Sequence, residues 1–170
     1  MENQSKTIIL NHNQILNKVK RIAFQIVENN QSGTNLCIGG IDTRGGFLAE
    51  LIYQELENMG IKGVELFSIS VNRNLEGTES VNISISEERT KNAHVIIVDD
   101  VLNTGKTLMN VLLKIGMFNP EQIETCFLVQ RSHRKFPLRG DYVGISLATT
   151  FQEHVSFNMA DKQNLEAFLD

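Results

Sequence analysis

Hydrophobic positions along this chain follow two alternating rhythms. Ile15, Leu16, Val19, Ile22, Ala23, Ile26 and Val27 recur at helical spacing. They predict an amphipathic first helix that ends near Asn29 to Gly33 and packs on a sheet. The rhythm then changes: short apolar runs at 36–40, 64–71, 81–85, 123–129 and 142–147 read as strands, the one at 81–85 with alternating polarity. Helical spacing returns at 47–59 and again at Leu108, Val111, Leu112 and Ile115, and 164–168 reads as a closing helix. Strands that alternate with helices imply an α/β fold, a mainly parallel central sheet with helices on both faces.

One more run says most about chemistry. Val95, Ile96, Ile97 and Val98 are consecutive β-formers without polar alternation, as expected of a central parallel strand covered on both faces. Asp99 and Asp100 follow at its carboxyl end, where open α/β sheets place ligands. Two adjacent carboxylates need donors or positive charge nearby. The paired hydroxyls of a ribose supply such donors through charge-assisted hydrogen bonds. Next come Asn103, Thr104, Gly105, Lys106 and Thr107, just ahead of the helical pattern. A helix start gathers unpaired N–H groups and the positive end of the macrodipole, so it favours an anion. Gly105 lets the backbone come close, and the two threonine hydroxyls can donate to phosphate oxygens. A diol site beside a phosphate cradle matches a ribose 5-phosphate.

Other readings of this run are weaker. Gly105-Lys106-Thr107 mimics the end of a nucleotide-binding P-loop, but the earlier glycine of that motif is replaced by Asp100. An acidic pair also occurs in the metal pocket of phosphorylation-receiver domains, though after the first strand. An ordinary strand-to-helix turn with solvated aspartates leaves the order of acids, hydroxyls and glycine unexplained.

Composition narrows the class. A chain of 170 residues that is 41% hydrophobic is long enough for one domain, 1–170, with a full core. Its apolar runs fall far short of the roughly 20 residues that span a membrane, and its polar start lacks a signal-peptide core, so a cytoplasmic location is expected. The net charge of −4 argues against a generic nucleic-acid binder. Cys37 and Cys126 lie in apolar strand-like runs and read as buried reduced thiols.

Two further segments carry candidate chemistry. GGIDTRGG, residues 39–46, lies between a predicted strand and helix; its glycines permit unusual backbone angles, and Arg44 can grip a phosphate pair with its fork. It does not fit the dinucleotide pattern GxGxxG. In QRSHRKFPLRGDYVG, residues 130–144, Arg131, His133, Arg134, Lys135 and Arg139 concentrate positive charge just after the strand at 123–129. That stretch reads either as a solvated basic loop or as a substrate loop.

Together these residues resemble type I phosphoribosyltransferases, and over roughly residues 15–150 the pyrimidine operon attenuator/uracil phosphoribosyltransferase family. Asp99 and Asp100 match the family's acidic pair and residues 103–107 its 5-phosphate loop. Thr43 and Arg44 match its pyrophosphate loop, and Arg73 an arginine that precedes a mobile flap. Gln130, Arg131, His133 and Arg134 fall where the family meets the nucleobase. The resemblance implies that fold, with a small hood region, and transfer from 5-phosphoribosyl 1-pyrophosphate to a base, uracil by expectation, with Mg²⁺. Asp99, Asp100 and Arg44 would be catalytic. A homodimer or larger homo-oligomer is implied too. The chain departs from the pattern at several points: Lys106 stands for arginine, Asn103 for tyrosine, Gln130 for aspartate, Phe24 for histidine and Ile145 for lysine. The segment after Arg73 is much shorter than the family flap. The charge lost at Gln130, Phe24 and Ile145 counts against RNA binding, while the short flap favours the alternative of an RNA- or nucleotide-binding regulator with little turnover.

Overall fold

The computed structural model describes residues 6–30, 35–73, 79–132, 134–148 and 154–169. In chain order the elements are β1 (Thr7–Leu10), α1 (His12–Asn29), β2 (Leu36–Ile41), α2 (Asp42–Asn58), β3 (Glu65–Arg73), β4 (Glu79–Ile83), α3 (Glu87–Thr90), β5 (His94–Leu102), α4 (Lys106–Gly116), β6 (Gln122–Arg131), β7 (Tyr142–Leu147), β8 (Val155–Asn158) and β9 (Glu166–Leu169). A six-stranded sheet runs β4-β3-β2-β5-β6-β7, and a three-stranded sheet runs β1-β9-β8. In the larger sheet β2, β3, β5, β6 and β7 are parallel, and only β4 is antiparallel to its neighbour.

The central position of β5 follows from its composition. Val95, Ile96, Ile97 and Val98 are all fully buried, because successive side chains point to opposite faces and each face is covered. Ile96 and Val98 pack with Ile15, Val19 and Ile22 of α1 and Leu48 and Ile52 of α2. Val95 and Ile97 pack with Leu108, Val111 and Ile115 of α4. Each such side chain contributes about 1.5–3 kcal/mol by leaving water, so an apolar run of this kind is stable only with helices on both faces. Helix α1 begins ahead of its first apolar residue at a capping box. Gln14 N donates to Asn11 Oδ1 at 3.0 Å, and Asn11 N donates to Gln14 Oε1 at 2.9 Å.

Three expectations need correction. Residues 164–168 do not form a helix. Leu165 and Ala167 are buried while Glu166 and Phe168 are only partly so, a period of two, and β9 pairs with β1 on one side and β8 on the other. That pairing joins the two ends of the chain, and no local signal reports it. Helix α2 starts at Asp42, ahead of the expected Phe47, so Thr43, Arg44, Gly45 and Gly46 occupy its opening turns rather than a loop. Strand β6 likewise continues through Gln130 and Arg131, which pair with Ser146 and Leu147 of β7. Cys37 and Cys126 are free and buried. Burial raises their thiol pKa values to about 11 and about 12, with the Glu65 charge adding to the rise at Cys37. Among the described residues no helix is long and apolar enough to cross a membrane.

Candidate active site

The carboxyl ends of β2 and β5 and the starts of α2 and α4 enclose a cleft of about 520 Å³. It is lined by Thr43, Arg44, Arg73, Asp99, Asp100 and residues 103–107, together with Asp42, Leu102 and Val155. The acidic pair sits on β5 two residues before the strand ends. Asp100 N donates to Asp99 Oδ1 at 2.9 Å. Burial pushes the Asp99 carboxyl well above the usual range, and the Asp100 charge adds to that. A group in this state gains from any ligand that brings donors or positive charge. Arg44 Nη1 stands 3.6 Å from Asp100 Oδ2, so the guanidinium from α2 leans toward the pair from the other wall.

The walls are drawn together by an unusual turn. Asp42 takes a left-handed φ of 48°, a conformation open to aspartate at some cost, and its Oδ1 accepts Val71 N of β3 at 2.9 Å. The carboxylate thereby ties the start of α2 to the end of β3. Gly45 then passes so near β5 that a Cβ there would lie 2.5 Å from Val98 O and 3.1 Å from Asp99 Cα. This close approach is what sets Arg44 beside the acids. The sequence motifs do not single out Asp42, although an acid at the first position after an apolar strand is a readable helix-start signal.

On the opposite wall Gly105 caps α4 with φ 86°, and Lys106 N donates to Thr104 Oγ1 at 3.3 Å. The loop after β6 folds over this turn, with Lys135 N and Phe136 N donating to Thr104 O at 3.0 and 3.1 Å. Arg73, at the end of β3, reaches the same helix, and its Nη2 donates to Thr107 Oγ1 at 3.2 Å.

The four residues expected near a base fall differently. Gln130 Oε1 accepts Gly140 N at 2.8 Å. Arg131 is buried and gives Nη1 to Asn103 Oδ1 at 2.7 Å. Neither lines the cleft, nor does Arg134, whose Nη1 is buried without a hydrogen-bond partner among the described residues. His133 lies outside the described residues. Arg131 thus holds the lining residue Asn103, and Gln130 holds the loop at Gly140, contacts that residue type and spacing alone do not reveal. Strand β8 adds Val155 to the cleft lining, a contribution from the smaller sheet.

Comparison with known proteins gives the same picture. The family described as "Phosphoribosyl transferase domain" matches residues 5–162. The chain is 35% identical over 159 residues to "Bifunctional protein PyrR" of Staphylococcus saprophyticus, covering 89% of this chain and 91% of the relative. It is 33% identical over 181 residues to the protein of that name from Bacillus cereus, covering 98% and 99%. Among solved structures, a hypoxanthine-guanine phosphoribosyltransferase from Bacillus anthracis superposes with a TM-score of 0.73 at 22% identity, over 89% of this chain and 86% of that one. The hypoxanthine phosphoribosyltransferase of Trypanosoma cruzi gives 0.74 at 18%, over 88% and 84%. The two solved structures share the fold. With the family match running through every element of the cleft, the chain belongs to the phosphoribosyl transferase domain family.

Proposed function

We propose that the protein transfers the 5-phosphoribosyl group of 5-phosphoribosyl 1-pyrophosphate to a nucleobase. A ring nitrogen of the base forms the new bond to C1 of the ribose as the C1–O bond to pyrophosphate breaks. One observation carries this reading: the acidic pair and the start of α4 open into a single cleft of about 520 Å³. Asp99 and Asp100 take the ribose hydroxyls, Thr104 to Thr107 the 5-phosphate, and Thr43 and Arg44 the pyrophosphate. The base belongs beyond the carboxyl end of β5, where Leu102 lines the cleft. There Gln130 lies one strand away, paired with Leu102, and uracil is the expected base.

The transition state has the character of a ribosyl cation. It needs little covalent help, so catalysis rests on orientation and on stabilising the charge that moves to pyrophosphate. Among the described residues no three His, Cys, Asp or Glu side chains converge as a metal site. This donor set fits Mg²⁺, which keeps several waters and is commonly held by one or two carboxylates plus substrate phosphates. Asp99 and Asp100 are the groups that would face it. When bound with the donor, Mg²⁺ would supply neutralisation of pyrophosphate charge.

The test is to incubate the protein with donor, Mg²⁺ and each common nucleobase in turn, and to measure pyrophosphate release. Release with one base is expected, uracil first. A protein that binds the donor yet releases nothing with any base is not this enzyme. A second reading, a regulator that binds RNA and keeps the pocket without useful turnover, draws support from the short link between Arg73 and Glu79 and from relatives named bifunctional. Weak, strongly salt-dependent RNA binding in a gel-shift titration would count against it. A homodimer or larger assembly completes the proposal, read out by sedimentation.

A further inference from the structure

The β3–β4 hairpin supplies a second layer to the phosphate wall. Glu79 opens β4 directly opposite Arg73 in the antiparallel register. Its side chain is only 4% exposed, against 66% for Arg73, and a carboxylate so enclosed must have its oxygens occupied. Oε1 accepts Arg73 Nε at 3.0 Å, and Oε2 accepts Asn110 Nδ2 at 2.9 Å. Asn110 follows Thr107 by three residues on α4 and so shares its face. Glu79 is therefore anchored to the helix whose first turn faces the cleft.

The consequence falls on Thr107. A guanidinium held at Nε keeps its fork in one plane, and here that plane delivers Nη2 to Thr107 Oγ1 at 3.2 Å. A hydroxyl has one proton to give and two lone pairs. With a lone pair taken by Arg73, its proton is free to point into the cleft. The chain Asn110, Glu79, Arg73, Thr107 ends on that proton, and each bond in such a chain polarises the next.

We propose that Glu79 is a positioning residue for the sugar's terminal phosphate: it fixes Arg73, so that the guanidinium edge and the Thr107 hydroxyl both face the phosphate oxygens. This rests on the assignment of the α4 start to the 5-phosphate. Arg73 then serves the 5-phosphate rather than the pyrophosphate, although it stands where a flap would begin.

Calorimetric titration with ribose 5-phosphate, and separately with inorganic pyrophosphate and Mg²⁺, tests it. Glu79→Gln should weaken ribose 5-phosphate binding about tenfold, the size of one charge-assisted hydrogen bond, and leave pyrophosphate binding unchanged. Arg73→Ala should do at least as much, and the double variant should be no weaker than Arg73→Ala alone, because Glu79 acts only through Arg73. A mere hairpin brace would lower the melting temperature of Glu79→Gln and spare ribose 5-phosphate binding; that result, or a further loss in the double variant, overturns the proposal. If Glu79→Gln does not fold, Asn110→Ala decides: selective loss of ribose 5-phosphate affinity supports the proposal, and unchanged affinity overturns it. Wild-type protein that fails to bind ribose 5-phosphate overturns the cleft assignment and this inference with it. Wild-type binding matched by Glu79→Gln overturns the inference alone.

Discussion

Asp99→Asn should make the empty protein more stable and the ligand-binding site worse. Burial and the Asp100 charge hold the Asp99 carboxyl well above the usual range, so the folded chain binds a proton there more tightly than the unfolded chain does. The sign follows from linkage: the stability tied to this group is fully present below the unfolded value near 3.8 and is lost as pH rises through the folded one. Each pH unit in that window removes about 1.4 kcal/mol. Asparagine cannot ionise, and its Oδ1 can still accept Asp100 N, the 2.9 Å bond of the native pair. The variant therefore keeps the local hydrogen bond and sheds the charge.

Thermal melts from about pH 4 to about pH 7 should show wild type losing stability as pH rises and the variant losing less. At neutral pH the variant should melt higher. Titration with 5-phosphoribosyl 1-pyrophosphate and Mg²⁺ should show the reverse order, with affinity reduced by about 1.5–3 kcal/mol, or roughly ten- to a hundredfold. A variant that melts lower than wild type at neutral pH would refute the claim that the pair stores repulsion. A variant that binds the donor as well as wild type would refute the claim that a diol relieves it.

Two further substitutions separate the walls of the cleft from their supports. Gly105→Ala places a Cβ at φ 86° and 3.2 Å from Phe136 Cβ; the left-handed backbone costs about 1–2 kcal/mol, so a lower melting temperature and weaker ribose 5-phosphate binding should appear together. Arg131→Ala removes a buried 2.7 Å bond to Asn103 worth about 1.5–3 kcal/mol, and should lower the melting temperature without changing which base is used. An unchanged melt with altered base preference would return Arg131 to the base site.

How much of the fold was legible depended on where each element's partner lies. Strand β5 reads directly because Val95 to Val98 are hidden on both faces, and a doubly covered strand has nowhere to put a polar residue. Strand β7 was expected at 142–147 and is found there. Residues 164–168 suggest a helix because leucine, glutamate and alanine favour helix in isolation, while the conformation of β9 is decided by its pairing with β1. The start of α2 is hidden in the sequence for a different reason. Glycines suggest a loop, but Gly40 and Gly45 are there for proximity, since a Cβ on Gly40 would lie 2.4 Å from Gly46 Cα and one on Gly45 2.5 Å from Val98 O. Glycine marks both a turn and a close crossing, and sequence alone does not say which.

The site divides along the same line. Residues that face a ligand in the proposed reading stand in short runs at element ends: Asp99 and Asp100 at the close of β5, Thr104 to Thr107 at the opening of α4, Thr43 and Arg44 at the opening of α2. Local order is enough to suggest them, because the chemistry of a helix start is itself local. Residues that aim those groups are scattered. Asp42 reaches Val71, Arg131 reaches Asn103, and Glu79 joins Arg73 to Asn110. Each link crosses from one element to another, and nothing about a lone aspartate, arginine or glutamate in sequence predicts the far end. Yet these links decide whether a helix start and a pair of acids, common in many α/β chains, meet across one cleft. A chain with the same ligand-facing residues but without Asp42 and Gly45 would keep the motif and lose the geometry, since α2 would no longer be drawn against β5 and Arg44 would stand away from Asp100.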